Sequence, residues 1–405
     1  LLEQTNKLLE WARLERNVQL MWLGRTCTFF AEQTAEIALI WFTWQLTKSS
    51  SQVGLIIFLV RMPFWAFGWL AGIYADRFSR QRIVISANVV GAMLAGLIPM
   101  LYVFNLLNFV LLAILAFLFS LSRAIEQPAL GAQIPDIVPV ERIPMMNTVL
   151  DNTKRIGRLL GPLLSSLLQI VFAVPLLYVF VAVALAIMSI CSHSLKLQEP
   201  LRQFKTGSSI WEDLSAGWQV LRANRQLFLT VICFAFYNPV YAVAYWVLLP
   251  RFFSLEMGGT GSVYSLAIAF FSIGALISNL AIGVFGIRTK HRSVLLGFVF
   301  VGFGFSLLSI APNTPSAICI VVLAAIGIPL MDIGIASLIN ECIPREHQGK
   351  VFALFRYFAE IGLAIGLLIG GFLADKIGSR ASFAFLGAYI LPLVGVFAWG
   401  IRRAS

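Results

Sequence analysis

Ionisable side chains sit deep inside apolar runs of this sequence. Arg25, Glu32 and Glu36 fall seven and four residues apart. On a helix those spacings bring all three onto one stripe. Arg61 lies within "VRMP", Arg123 and Glu126 close a later apolar run, and Asp332 interrupts another. Charge at bilayer depth is costly, and where it is kept it marks an ion path, a proton relay or a substrate contact. A second pattern is aromatic. In "FAFYNPVYAVAYWVLLP", Tyr237, Tyr241 and Tyr245 recur every four residues, Trp246 follows, and Asn238–Pro239 predicts a kink. Such a stripe suits either packing at an interface or contact with an aromatic or amphipathic compound.

The elements holding these residues follow from composition. The 405 residues are 59% hydrophobic and 12% charged, about half the charge of a soluble domain. One spanning helix takes about 20 apolar residues. The apolar runs are long and do not alternate, which excludes a transmembrane barrel and predicts an all-α membrane protein. The net charge of +11 is spread over short loops, not gathered on one face, so nucleic acid is rejected as a partner. Cys27, Cys191, Cys233, Cys319 and Cys342 show no paired spacing, so neither disulfides nor a metal site are expected. His193, His291 and His347 lie in polar stretches. No phosphate-binding loop, zinc-protease motif or nucleophile elbow is present. The reading is therefore not an enzyme, with no cofactor and no metal. No signal peptide is visible.

Twelve spans are predicted, near 18–46, 52–75, 83–104, 108–128, 147–170, 174–192, 226–250, 261–286, 292–310, 315–339, 351–374 and 381–401. They divide the chain into an amphipathic segment 1–17, a bundle 18–192, a polar linker 193–225 and a bundle 226–401. With the N-terminus inside, one set of loops holds only Lys48, Arg251, Lys376 and Arg380, and the other set holds most of the remaining Lys and Arg. That bias places both ends in the cytoplasm. The halves are related. A shift of 205 residues lays Pro139 on Pro344, Glu141 on Glu346, Gly157 on Gly362 and Gly161 on Gly366. Two duplicated six-helix bundles suit a transporter that rocks around a central site.

Three stretches resemble the major facilitator superfamily. "GIYADRFSRQR", Gly72 to Arg82, is similar to its loop between helices 2 and 3. "GRLLGPLLSS", Gly157 to Ser166, is similar to its export signature in helix 5. "SRAIEQPALGAQIPDIVP" resembles the branch of enterobactin-type siderophore exporters and macrolide efflux proteins. The resemblance implies the major facilitator fold, two pseudo-symmetric six-helix bundles with a cavity lined by helices 1, 4, 7 and 10. It makes Glu36, Glu32 and Asp332 candidates for carrying protons, because burial disfavours a charged carboxylate. Glu36 ranks first, being one turn farther from Arg25. Arg25, Arg123, Glu126, Tyr237, Asn238, Tyr241 and Tyr245 become candidate cavity residues. Gly72, Asp76, Arg77 and Arg80 become gating residues, with Asp76 bracing the start of the eleventh helix.

Asp151, Arg155, Arg356 and Glu360 complete the expected gate. The shift lays Asp151 on Arg356 and Arg155 on Glu360, so the charges invert between halves, and either ion pairs between the halves or local pairs would satisfy them. Gly157, Gly161 and Pro162 should form a close-packed, bent bearing. The expected function is proton-coupled efflux of a small amphipathic compound by a monomer in the inner membrane, with the lipid bilayer, protons and a small-molecule substrate as partners. A lipid or lysolipid flippase of the same fold, and a non-transporting receptor or scaffold, are the alternatives.

Overall fold

A computed structural model of the chain describes residues 16–68, 78–195, 210–287 and 289–402. Gly72, Asp76 and Arg77, nearly all of the amphipathic segment 1–17, and the middle of the linker lie outside these residues.

The described chain is helical, with no strand among its described residues. Thirteen helices follow in order: α1 Arg16–Thr47, α2 Ser50–Ala66, α3 Arg80–Val103, α4 Phe109–Ile137, α5 Ile143–Val171, α6 Leu177–His193, α7 Ile210–Ala223, α8 Arg225–Ala242, α9 Gly261–Phe285, α10 Lys290–Leu307, α11 Thr314–Cys342, α12 Arg345–Ile377 and α13 Ser379–Arg402. Local chemistry fixes several ends. Asn108 and Asn224 cap α4 and α8 by accepting from the third amide, and Asn313 opens α11 with a reciprocal capping box. Gly286 and Gly378, at φ +68° and +80°, end α9 and α12 in a backbone region that side chains rarely adopt.

Among the described residues, nine helices are long and apolar enough to cross a membrane. The shorter apolar α2 has 17 residues. The helices α1 and α5, with 32 and 29 residues, are as long as the nine, but α1 carries Arg25, Glu32 and Glu36, and α5 carries Asp151, Lys154, Arg155 and Arg158. These twelve fit the major facilitator fold, and the thirteenth, α7, is the surface helix of the linker. The expected kink at Asn238–Pro239 has a different form. Helix α8 runs through Pro239 and continues to Glu256 with π-helical turns at Val243–Leu248 and Phe252–Glu256. Each such turn inserts a residue into the helical repeat, which no feature of the sequence announced.

The chain forms two compact units: residues up to Thr47 with Leu59–Phe204, and Lys48–Phe58 with Lys205 onward. The boundary falls inside α2, so this helix contributes to both. In the first unit α1 packs on α5 and α6, and α3 packs on α4 and α6. In the second, α8 packs on α12 and α13, and α10 packs on α11 and α13. These are the same four pairings, as duplication requires.

Glycines make one of the pairings possible twice. A Cβ on Gly157 would stand 3.1 Å from Cβ of Phe29, and one on Gly161 would stand 2.6 Å from Cβ of Gln33. Across the repeat, a Cβ on Gly362 would meet the Ala235 carbonyl oxygen at 2.5 Å, and one on Gly366 would meet Cα of Pro239 at 2.5 Å. So the small face of α5 meets α1 of its own unit, and that of α12 meets α8. Pro162 is buried in α5, which continues through it as one helix. Without a hydrophobic drive between helices in lipid, such close approach is a main source of association. Gly161→Leu and Gly366→Leu should each lower stability by about 1–3 kcal/mol, the usual cost of overpacking. Thermal unfolding of each purified variant in detergent checks this, and an unchanged midpoint in both contradicts it.

Candidate functional site

The buried charges of the first unit converge on Arg123 of α4. Its guanidinium Nη2 lies 3.2 Å from Oε1 of Glu32 on α1 and also contacts Oε2 of Glu126, three residues along α4. Nη1 donates to Oδ1 of Asn88 on α3 at 3.0 Å. The Asn88 amide donates in turn to Oε1 of Glu126 at 2.7 Å and to the Val84 carbonyl. Three helices thus meet at one planar cation, whose fork matches two carboxylates and an amide at once. The Glu126 side chain is fully buried, Arg123 is 4% exposed, and Glu32 is 24% exposed. Glu126 and Asn88 are therefore the fixed part of the cluster, and Glu32 is the arm that can be reached.

The other charges of α1 sort differently from the sequence expectation. No ion pair joins Glu32 to Arg25; Glu32 pairs with Arg123 instead. Glu36 instead pairs with Arg61 of α2 at 3.2 Å. The Arg25 guanidinium lies 4.2 Å over the Phe29 ring and within 3.4 Å of Thr28 Oγ1. It is within electrostatic reach of Glu32, Glu126 and Arg123 without an ion pair to any of them. Arg25 and Lys154 of α5 line a cavity of about 230 Å³ together with Met21, Phe29, Gln127 and Leu150. Asp151 also borders it, and its Oδ2 accepts from Nε of Arg155 at 2.9 Å. This pair, four residues apart and more than half exposed, satisfies Asp151 and Arg155 within α5. An exposed pair of this kind contributes little stability.

In the second unit the tyrosines form a stack. The rings of Tyr237 and Tyr241 are 6.4 Å apart and those of Tyr241 and Tyr245 are 5.5 Å apart, each pair within about 20° of parallel. Tyr237 is 2% exposed and packs on Phe298, and Asn238 donates to the Ala359 carbonyl of α12. Those two residues hold helices together and do not face an open cavity, whereas Tyr241 and Tyr245 are half-buried. Asp332 is exposed on α11, within electrostatic reach of Tyr237. Arg356 is exposed and Glu360 half-buried on α12.

Arg80, expected from sequence to act in gating, pairs with Asp136 at 3.2 Å and donates to the Ala132 carbonyl, inside its own unit. Lys290 makes the corresponding bond to Glu341 in the second unit. Asp136 and Glu341 are one of the residue pairs related by the 205-residue shift. Asn88 escaped the sequence reading, although a lone amide in the apolar run "ISANVVGAML" is a signal of its own. Arg251 escaped it too, because it was counted only as loop charge, and Asp375 was not singled out.

Twelve spanning helices in two repeated bundles, with charge clustered inside, define a transporter of the major facilitator superfamily. The chain belongs to the transmembrane secretion effector family, which matches it over residues 9–403. It is 24% identical over 375 residues to macrolide efflux protein A of Streptococcus pyogenes, covering 92% of each chain. It is 26% identical over 378 residues to the multidrug efflux pump Tap of Mycobacterium bovis, covering 88% of this chain and 86% of that protein. Among solved structures it resembles the nucleoside transporter NupG, at a TM-score of 0.74 and 12% identity over 96% of this chain and 100% of the other. It also resembles a bacterial homologue of the iron transporter ferroportin in its inward-facing state, at 0.73 and 16% over 96% and 99%. At these identities the structures establish the fold alone.

The tie between Asn88 and Glu126 can be measured directly. Asn88→Ala and Glu126→Gln should each destabilise the protein, and a double-mutant cycle should give a coupling of about 0.5–3 kcal/mol. Strictly additive losses would mean that the amide does not hold the carboxylate.

Proposed function

We propose that the protein is a proton-coupled exporter of a small amphipathic compound such as a siderophore, macrolide or other drug. It works by alternating access, with both chain ends in the cytoplasm. The observation that carries this reading is the sharing of one buried guanidinium, Arg123, between two carboxylates. Two acids and one paired base leave one negative charge in excess. A proton on Glu32 removes that excess and leaves Arg123 still matched by Glu126. A proton on Glu36 would instead weaken the 3.2 Å pair that it makes with Arg61. This reverses the order expected from sequence and puts Glu32 ahead of Glu36 as the carrier.

The cycle then follows from competition. With Glu32 ionised, Arg123 holds it against α4. A proton arriving at its exposed edge releases that hold, and α1 is free to move relative to α4. Return of the proton on the other side restores the pair. Substrate travels in the opposite direction. The cavity beside Arg25 and Lys154 supports a matching role. At about 230 Å³ it is smaller than a drug-sized pocket. It would take a polar end only, and two cations that make no ion pair among the described residues favour an acidic or acceptor-rich end, as a siderophore carries. The names of the efflux relatives support the outward direction.

Glu32→Gln should reduce uphill, pH-driven transport in proteoliposomes to the level of empty vesicles, with downhill exchange retained. Glu36→Gln and Asp332→Asn should keep a measurable uphill component. Full pumping by Glu32→Gln with an unchanged pH dependence contradicts the assignment.

A further inference from the structure

The loop motif around Asp76 has a second copy in this chain. "GIYADR", Gly72 to Arg77, recurs as "GFLADK", Gly371 to Lys376: glycine, two residues, alanine, aspartate, base. The first follows α2, and the second closes α12. The second copy lies within the described residues, and its aspartate grips the first turn of α2. Asp375 Oδ1 accepts from the Ser50 amide at 2.7 Å, and Oδ2 accepts from the Ser51 amide and from Ser49 Oγ at 2.9 Å each. Ser51 Oγ also donates to Oδ2. Arg251 Nη1 lies 3.2 Å from Oδ1, and it reaches Ser50 Oγ at 3.5 Å. An anion at the start of a helix satisfies amides that have no partner in the helix and opposes the positive end of its dipole.

The backbones behind this grip are in contact. A Cβ on Gly371 would stand 2.6 Å from the Ser50 carbonyl oxygen, and one on Gly54 would run into the Leu367 carbonyl. Two glycines, one on each helix, thus let α2 and α12 touch where Asp375 acts. This is also the part of α2, Lys48–Phe58, that clusters with the second unit, while Leu59 onward clusters with the first.

We propose that Asp375 is a latch that closes the outer face of the transporter, the reciprocal of Asp76. Each aspartate follows the same Gly-x-x-Ala run. Asp375 caps the start of α2, and Asp76 is the gating residue that the sequence puts at the opposite face. The two latches hold opposite states, so one opens as the other forms. Arg251 positions the carboxylate through Oδ1. The proposal rests on the alternating-access reading above and adds to it the residue that stabilises the outer-closed state.

The test is a pair of distance measurements by pulsed electron spin resonance on full-length protein in which the five cysteines are replaced by serine. Spin labels at Leu106 and Leu255 report the outer face, and labels at Val149 and Tyr357 report the inner face. Asp375→Asn should move the populations toward outer-open by roughly tenfold or more, as loss of charge-assisted hydrogen bonds implies. Arg251→Gln should move them the same way by less. Asp76→Asn should move them toward inner-open, and the double variant should return near the parent balance. Mere loss of stability would not give shifts of opposite sign. Unchanged distributions in monodisperse Asp375→Asn, or shifts of the same sign for both aspartates, would overturn the latch even when the parent shows two states. A single fixed distance at both faces of the parent under every condition would overturn alternating access, and the latch with it.

Discussion

A charge placed in a bilayer must be matched, and in this protein Arg123 is matched twice. The planar guanidinium meets Glu126 and Glu32 and also donates to the Asn88 amide oxygen. Breaking a buried pair costs about 3–5 kcal/mol, because a naked charge is left behind. That penalty forces α1, α3 and α4 to present these side chains to one point, and it gives the cluster its geometry. In the proposed cycle the doubling of acids is the functional part, because it lets one carboxylate change its charge while the base remains paired.

Around that point the packing is built from small residues and repeated. The pairs Gly157/Gly161 and Gly362/Gly366 bring α5 to α1 and α12 to α8 at backbone distance. The pairs Arg80–Asp136 and Lys290–Glu341 tie the start of α3 to the end of α4, and the start of α10 to the end of α11. The polar chemistry inside the two units is not repeated. The first unit holds Arg25, Glu32, Arg123 and Glu126, while the second holds a tyrosine stack and Asp332. Duplication supplied a common frame, and divergence divided the labour.

The sequence revealed the frame more readily than the contacts. Apolar runs, loop charge and the 205-residue shift gave the number of helices and the repeat, because bilayer thickness constrains them directly. The glycine stripe was equally legible, but its partner was not. A small face says that something comes close, and only the fold says that it is Phe29 and Gln33. The stripe of Arg25, Glu32 and Glu36 is real, yet its partners Arg123 and Arg61 lie on other helices. Periodicity orders residues along one helix and is silent about its neighbours. Asn88 is neutral and so was passed over in a search for charge. The second aspartate motif was hidden by the turn of the chain: its role depends on Ser49–Ser51, more than 300 residues away.

The central claim is that one acid, Glu32, takes up a proton while Arg123 keeps its other partner. Infrared difference spectroscopy on the purified protein in lipid reads this without a substrate. Lowering the pH should produce a carboxylic-acid carbonyl band that disappears in Glu32→Gln and persists in Glu36→Gln. A band that survives Glu32→Gln unchanged would contradict the account.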